Sequence, residues 1–132
     1  MLSIFPGLLV YTLAAPLILR LAAGSLFLFW STRAFVLGKH TLADRLAEWN
    51  LPGMPALLAL SAAEALVGIL LLIGLYTQVA ALAGALVAAK LAFLSRKEPF
   101  GPGNMTVYLL VALICLSLAL TGPGFFAFDL PL

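Results

Sequence analysis

Three ionisable residues stand inside long apolar runs: Arg20, Glu64 and Lys90. Such residues are rare in hydrocarbon, costing about 2.5–3.5 kcal/mol each on insertion scales, and they mark ligand sites, proton sites or buried ion pairs. Their depths follow from the helical rise. Taking the side that carries the termini as reference, Glu64 is roughly 16 Å deep, Lys90 roughly 18 Å and Arg20 roughly 13 Å, if the first helix starts at Tyr11. At those depths all three would sit near the midplane and form one polar cluster. The faces are compatible with this: Arg20 with Gly24, Phe27 and Ser31; Glu64 with Ser61, Gly68 and Leu71; Lys90 with Ala83 and Val87. Two cations beside Glu64 would favour its charged form.

Each residue also has a plain structural reading. Arg20 and Lys90 are long enough to snorkel to an interface. Glu64 has no such escape and is expected to face the bundle interior, as half of an ion pair or as a ligand or proton site. His40, the single histidine, falls in a loop, and Cys115, the single cysteine, falls in an apolar run. A helix–helix haem pair, CxxC redox chemistry and a cysteine metal cluster are therefore excluded within one chain. Trp30 and Trp49 are expected as interface anchors, and Cys115 as a small core residue.

The elements that position these residues follow from composition. Of 132 residues, 64% are apolar and 9% charged, against about 45–50% and 25% in soluble domains. A soluble domain of this size cannot bury so much apolar surface. An all-α integral membrane four-helix bundle is expected, as one transmembrane domain with spans at about 11–37, 55–75, 78–94 and 105–121. Strands would need period-2 alternation and barrel closure, which the sequence lacks. The net charge of +2 is too small and scattered for a nucleic-acid footprint. The first eleven residues hold no Lys or Arg, unlike a cleavable signal peptide, so retention of the N-terminus is expected.

The first run exceeds one upright span. Either Pro16 kinks it, or Pro16 begins the true helix and Leu2 to Ala15 lies along the interface. Between spans one and two, Thr41-Leu42-Ala43-Asp44 resembles a capping box. It would open a short amphipathic interfacial helix with Leu42, Leu46 and Trp49 on one face, ended by Asn50-Leu51-Pro52-Gly53. A tight turn at 74–78 joins spans two and three, and a charged turn at 95–104 joins three and four. The tail from Thr121 to Asp129 reads as an aromatic anchor. Small residues along the third span, with Gly84 among them, are expected to make it central, packed on Gly68 and Gly24. Arg33, Lys39, Arg45, Arg96 and Lys97 all fall in the first and third loops. The positive-inside rule places those loops in the cytoplasm and both termini outside.

These residues also resemble a family. The stretch from Pro16 to Phe27, with Arg20 and then Gly24, resembles the opening of the DoxX family. Ala62 to Thr77, with Glu64, Gly68 and Gly74, is similar to that family's second helix and tight turn, and Thr121 through Asp129 to its C-terminal motif. The chain departs at Trp30-Ser31-Thr32-Arg33, where a Gly or His-Gly often follows the aromatics, and at Phe125, where a basic residue is common. The resemblance implies a four-helix bundle in the prokaryotic inner (plasma) membrane, with a tie to respiratory, sulfur or oxidative-stress redox chemistry. The leading expectation is an accessory, non-catalytic subunit of such a redox complex, holding a quinone beside Arg20 and Glu64, where an apolar slot meets polar groups for its carbonyls; with no haem, flavin or iron–sulfur motif, no intrinsic cofactor is expected. A small proton-coupled transporter and a lipid-binding structural bundle are the alternatives. Membrane lipid, a redox partner protein and a second copy of the chain are the candidate partners; nucleic acid is not.

Overall fold

The computed structural model describes residues 7, 11–12, 14–36, 38–98, 100, 103–122 and 124. Five helices follow in order: α1 (Ala14–Val36), α2 (Lys39–Glu48), α3 (Gly53–Ile73), α4 (Thr77–Leu94) and α5 (Met105–Thr121). Among the described residues there is no strand. Helices α1, α3 and α4 are long and apolar enough to cross a membrane. Helix α5, at 17 residues, reaches about 26 Å, which covers most of a hydrocarbon core. The protein is an all-helical integral membrane bundle.

Helix α1 begins at Ala14, so Pro16 occupies its first turn, where a missing N–H costs nothing. Nothing breaks the helix at Pro16. Of the segment expected on the interface before it, most lies outside the described residues, as does the aromatic tail from 125 to 129. The buried face of α1 is Arg20, Ala23, Gly24, Phe27, Trp30, Ser31 and Ala34. Its opposite face exposes Ile18, Leu21, Phe29 and Phe35, apolar side chains that suit lipid rather than water.

Helices α1 and α3 run antiparallel and cross at two glycines. A Cβ on Gly24 would lie 3.0 Å from the Gly68 carbonyl oxygen, and one on Gly68 would lie 2.9 Å from that of Gly24. Only the absence of side chains lets the backbones approach so closely. About two turns further along, Ser31 Oγ donates to the Ser61 carbonyl at 2.9 Å, which fixes the register. Helix α4 packs most extensively on α5, and its buried face is rich in small residues, Ala80, Ala81, Gly84, Ala85, Ala88 and Ala92 among them. A Cβ on Gly84 would meet Cys115 Sγ at 3.1 Å, Val67 Cγ1 at 3.1 Å and Phe27 Cε2 at 3.2 Å. Gly84 thus marks the level where all four spanning helices converge. Its neighbours are these three side chains, while Gly24 and Gly68 face each other.

The cationic end of the bundle is closed by α2. That helix starts at Lys39 behind Gly38 with no side-chain cap, so Thr41 and Asp44 lie inside it rather than forming a capping box. Leu42, Ala43 and Leu46 turn inward. Asn50, at φ 57°, breaks the chain into α3, which starts at Gly53 behind Pro52. Arg45 is ion-paired with Glu98 of the α4–α5 loop. Cations sit over aromatic rings around this end: Arg33 on Phe29 at 5.4 Å, Lys39 on Phe35 at 5.6 Å and Arg96 on Phe93 at 5.5 Å. Trp49 lies against Phe93, with ring centroids 5.3 Å apart. Such a belt is what a membrane–water boundary selects. At the other end, Gly74 (φ 77°) and Tyr76 (φ 48°) make the tight turn between α3 and α4.

Candidate functional site

Glu64 lies on the buried face of α3 with Leu57, Ser61, Val67, Gly68 and Leu71. It is 3% exposed, and so is Ser61, one turn earlier. Among the described residues Glu64 Oε2 and Ser61 Oγ have no hydrogen-bond partner. Both residues line one small cavity with Trp30, Leu60, Leu91 and Tyr108. Its volume is about 10 Å³, the space of one water molecule, and a buried water needs two to four polar partners. The cavity therefore brings together two unsatisfied oxygens and room for a single small polar species.

The walls are held stiffly. Trp30 is 3% exposed and packs edge-on to Phe27 (5.6 Å) and to Tyr108 (4.8 Å). Edge-on pairs of this kind add about 0.5–1.5 kcal/mol beyond their burial. Tyr108 is 1% exposed. Its hydroxyl donates to the Phe100 carbonyl at 2.5 Å and accepts from the Gly103 N–H at 3.1 Å. The α4–α5 loop is thereby tied to the floor of the cavity. Gly103 is required there, since a Cβ would come within 2.8 Å of the Tyr108 ring. At the start of α5, Asn104 caps the helix by accepting from the Val107 N–H at 3.2 Å.

Arg20 is 1% exposed and faces the bundle interior, but at a different level. From the Gly24–Gly68 crossing, Arg20 is one turn toward the α3–α4 turn, where α1 meets Leu72. Glu64 is one turn the other way, opposite Leu28. The two side chains thus start from levels about 12 Å apart along the helices. Near Arg20's end of the bundle stands Thr77, fully buried, whose Oγ1 has no partner among the described residues. Between the two levels lies the apolar layer of Phe27, Val67, Gly84 and Cys115.

Lys90 corrects the expectation of a three-residue buried cluster. It is exposed, on the far side of α4 from the buried row Gly84, Ala88 and Leu91. Spacing along α4 told which residues share its face, not which face meets the bundle. Trp30 is a second correction: it lies in the core, and only Trp49, 39% exposed, stands at the boundary. Sequence reasoning also missed Ser61's open hydroxyl, Tyr108 and Leu60. Tyr108 carried one usable signal, a lone phenol within an apolar span that needs a hydrogen-bond partner.

Residues 15–96 match the DoxX family model. The chain belongs to the DoxX family. The matched stretch carries α2, α3, α4 and nearly all of α1, including Arg20, Ser61, Glu64 and Lys90. It ends before α5 and before the resemblance at Thr121 to Asp129. No curated protein and no solved structure matches the chain.

Proposed function

We propose that this DoxX-family protein is a non-catalytic accessory subunit of a membrane redox complex, in which the Glu64 centre serves a lipid-soluble quinone. In this reading it sits in the prokaryotic inner membrane, with the α2 and α4–α5 loops in the cytoplasm and both termini outside. The observation that carries it is the pair of unsatisfied oxygens on Glu64 and Ser61 sharing one cavity inside the bundle. Unused hydrogen-bonding capacity there costs about 1–3 kcal/mol per group, so its retention speaks for a working role. A quinone ring is too large for the space beside Glu64, and Arg20 lies on another level. The quinone would therefore exchange hydrogen bonds or protons with Glu64 from outside the cavity, and Arg20 would belong to a second polar centre.

The test is direct. The protein is purified in mild detergent, and bound quinones and co-purifying proteins are identified for the wild type, Glu64→Ala and Arg20→Ala. Quinone retained by the wild type and lost with Glu64→Ala is the expected result. Finding neither quinone nor redox partner in the wild type would sink the reading.

A proton-coupled transporter is the second reading, and one observation favours it. The offset between Arg20 and Glu64, with Lys90 facing outward, removes the two cations that would hold the carboxylate charged. Uptake into proteoliposomes driven by a pH gradient, and abolished by Glu64→Gln, would support transport over the redox role.

A further inference from the structure

A groove of about 260 Å³ runs along the outside of α3, between α2 and α4. Its floor is Ala56, Ala59 and Ala63, spaced to lie along one face of α3, and its sides include Leu46, Val87 and Lys90. Lys90 is the one charged residue among those lining it. It stands one turn before the end of α4 at Leu94, close to the belt where Arg96 covers Phe93. An ammonium has three donors and no acceptor. An occupant of the groove must therefore be apolar along the alanine floor and carry a hydrogen-bond-accepting head at Lys90.

Leu60 lines this groove and also lines the Glu64 cavity. It is half-buried, and its chain neighbours are the site's own residues: Ser61 is next, and Glu64 is one turn on. A leucine changes between staggered rotamers without moving its helix. We propose that the groove receives the accepting head of an amphipathic, lipid-soluble molecule, and that Leu60 is the gate between that head and the Ser61–Glu64 pair. This rests on Glu64 being the working group and adds the route by which a ligand from the lipid phase reaches it. Such a route removes the size conflict: the bulk of the molecule stays in the groove, and only its reacting atoms meet Glu64 past Leu60.

The test uses the whole protein in liposomes and dicyclohexylcarbodiimide, a lipid-soluble reagent. A carboxyl oxygen adds to the carbodiimide carbon, the carboxyl proton passes to a nitrogen, and rearrangement leaves a stable acylurea that intact mass spectrometry counts. Wild type gains one adduct and Glu64→Gln gains none. Leu60→Ala labels about tenfold faster and Leu60→Trp about tenfold slower, as a barrier change of about 1.4 kcal/mol would give. Ala63→Leu, which fills the groove and leaves the gate residue intact, also slows labelling, so the outcome does not depend on one variant folding. Equal rates across the Leu60 and Ala63 variants would overturn the gate. So would equally fast labelling by a water-soluble carbodiimide, or no labelling even in Leu60→Ala. If the labelling pattern holds while no quinone is found in the purified protein, the route stands and the redox reading falls. If quinone is bound but labelling ignores Leu60, the reverse is true.

Discussion

Replacing Glu64 with methionine separates a working carboxylate from a structural one. The side chain is 97% buried on the basis of its 3% exposure, and its Oε2 has no partner among the described residues. A carboxylate held in a satisfied buried pair would cost about 3–5 kcal/mol to remove, because its partner would be stranded. A carboxylate with an unmet oxygen behaves oppositely. Removing that oxygen recovers its desolvation penalty, about 1–3 kcal/mol, and methionine is unbranched, of similar length and adaptable enough to fill the space. The expected result is a gain of about 1–3 kcal/mol, hence a rise in Tm on the order of 5 °C for a chain of this size. Glu64→Gln, which keeps polar atoms in the same place, is expected to fall between the wild type and Glu64→Met. The assay is reversible unfolding in detergent stripped of lipid-soluble ligands, with stability read by steric trapping and Tm by tryptophan emission. A loss of stability above about 2 kcal/mol in Glu64→Met would refute the reasoning, since it would show that the oxygens are engaged. It would then favour the structural bundle, in which the charges only fix helix register.

Three further outcomes follow from the packing. Gly68→Ala forces a Cβ to 2.9 Å from the Gly24 carbonyl oxygen; overpacking against backbone should outweigh the gain in helix propensity and lower stability by about 1–2 kcal/mol. Gly38→Ala is the milder comparison, because its Cβ would press on the Leu42 side chain, 2.9 Å from Cδ1, rather than on backbone, and a smaller loss than for Gly68→Ala is expected in the same unfolding assay. Tyr108→Phe removes the hydroxyl that bridges Phe100 and Gly103, leaving the buried Phe100 carbonyl short of a donor. A loss of about 1–3 kcal/mol and faster hydrogen exchange in the α4–α5 loop are expected. With Trp30 and Trp49 each replaced by phenylalanine in turn, emission from the remaining tryptophan in bromolipid vesicles should be quenched strongly for Trp49 and weakly for Trp30. Strong quenching of Trp30 would contradict its 3% exposure.

Much of the architecture is legible in the residues alone. With 64% apolar side chains and 9% charged, burial in lipid is the only way to satisfy the chain. Backbone hydrogen bonding in lipid then requires helices for runs of this kind. Breakers at Gly53, Gly74 and Asn104 stand at or beside the observed helix ends. Glu64 could be expected inside because a short carboxylate in mid-span cannot snorkel, and its low exposure has the same physical cause. The surface helix α2 was legible from its alternating faces, though its first turn was not, since a glycine start leaves no side-chain signature.

What the sequence could not determine is how each helix is rotated and how far it is slid against its neighbours. Apolar spans face lipid on one side and protein on the other, so periodicity gives little hint of the inward face; Lys90 and Trp30 were misplaced for that reason. Depth counted along single helices put Arg20 level with Glu64. The backbone crossing at Gly24 and Gly68, with Ser31 bonded to the Ser61 carbonyl, sets them on opposite sides of an apolar layer. That register depends on close packing between two helices, a property neither segment carries by itself. The same packing places Leu60 between a lipid-facing groove and a buried carboxylate.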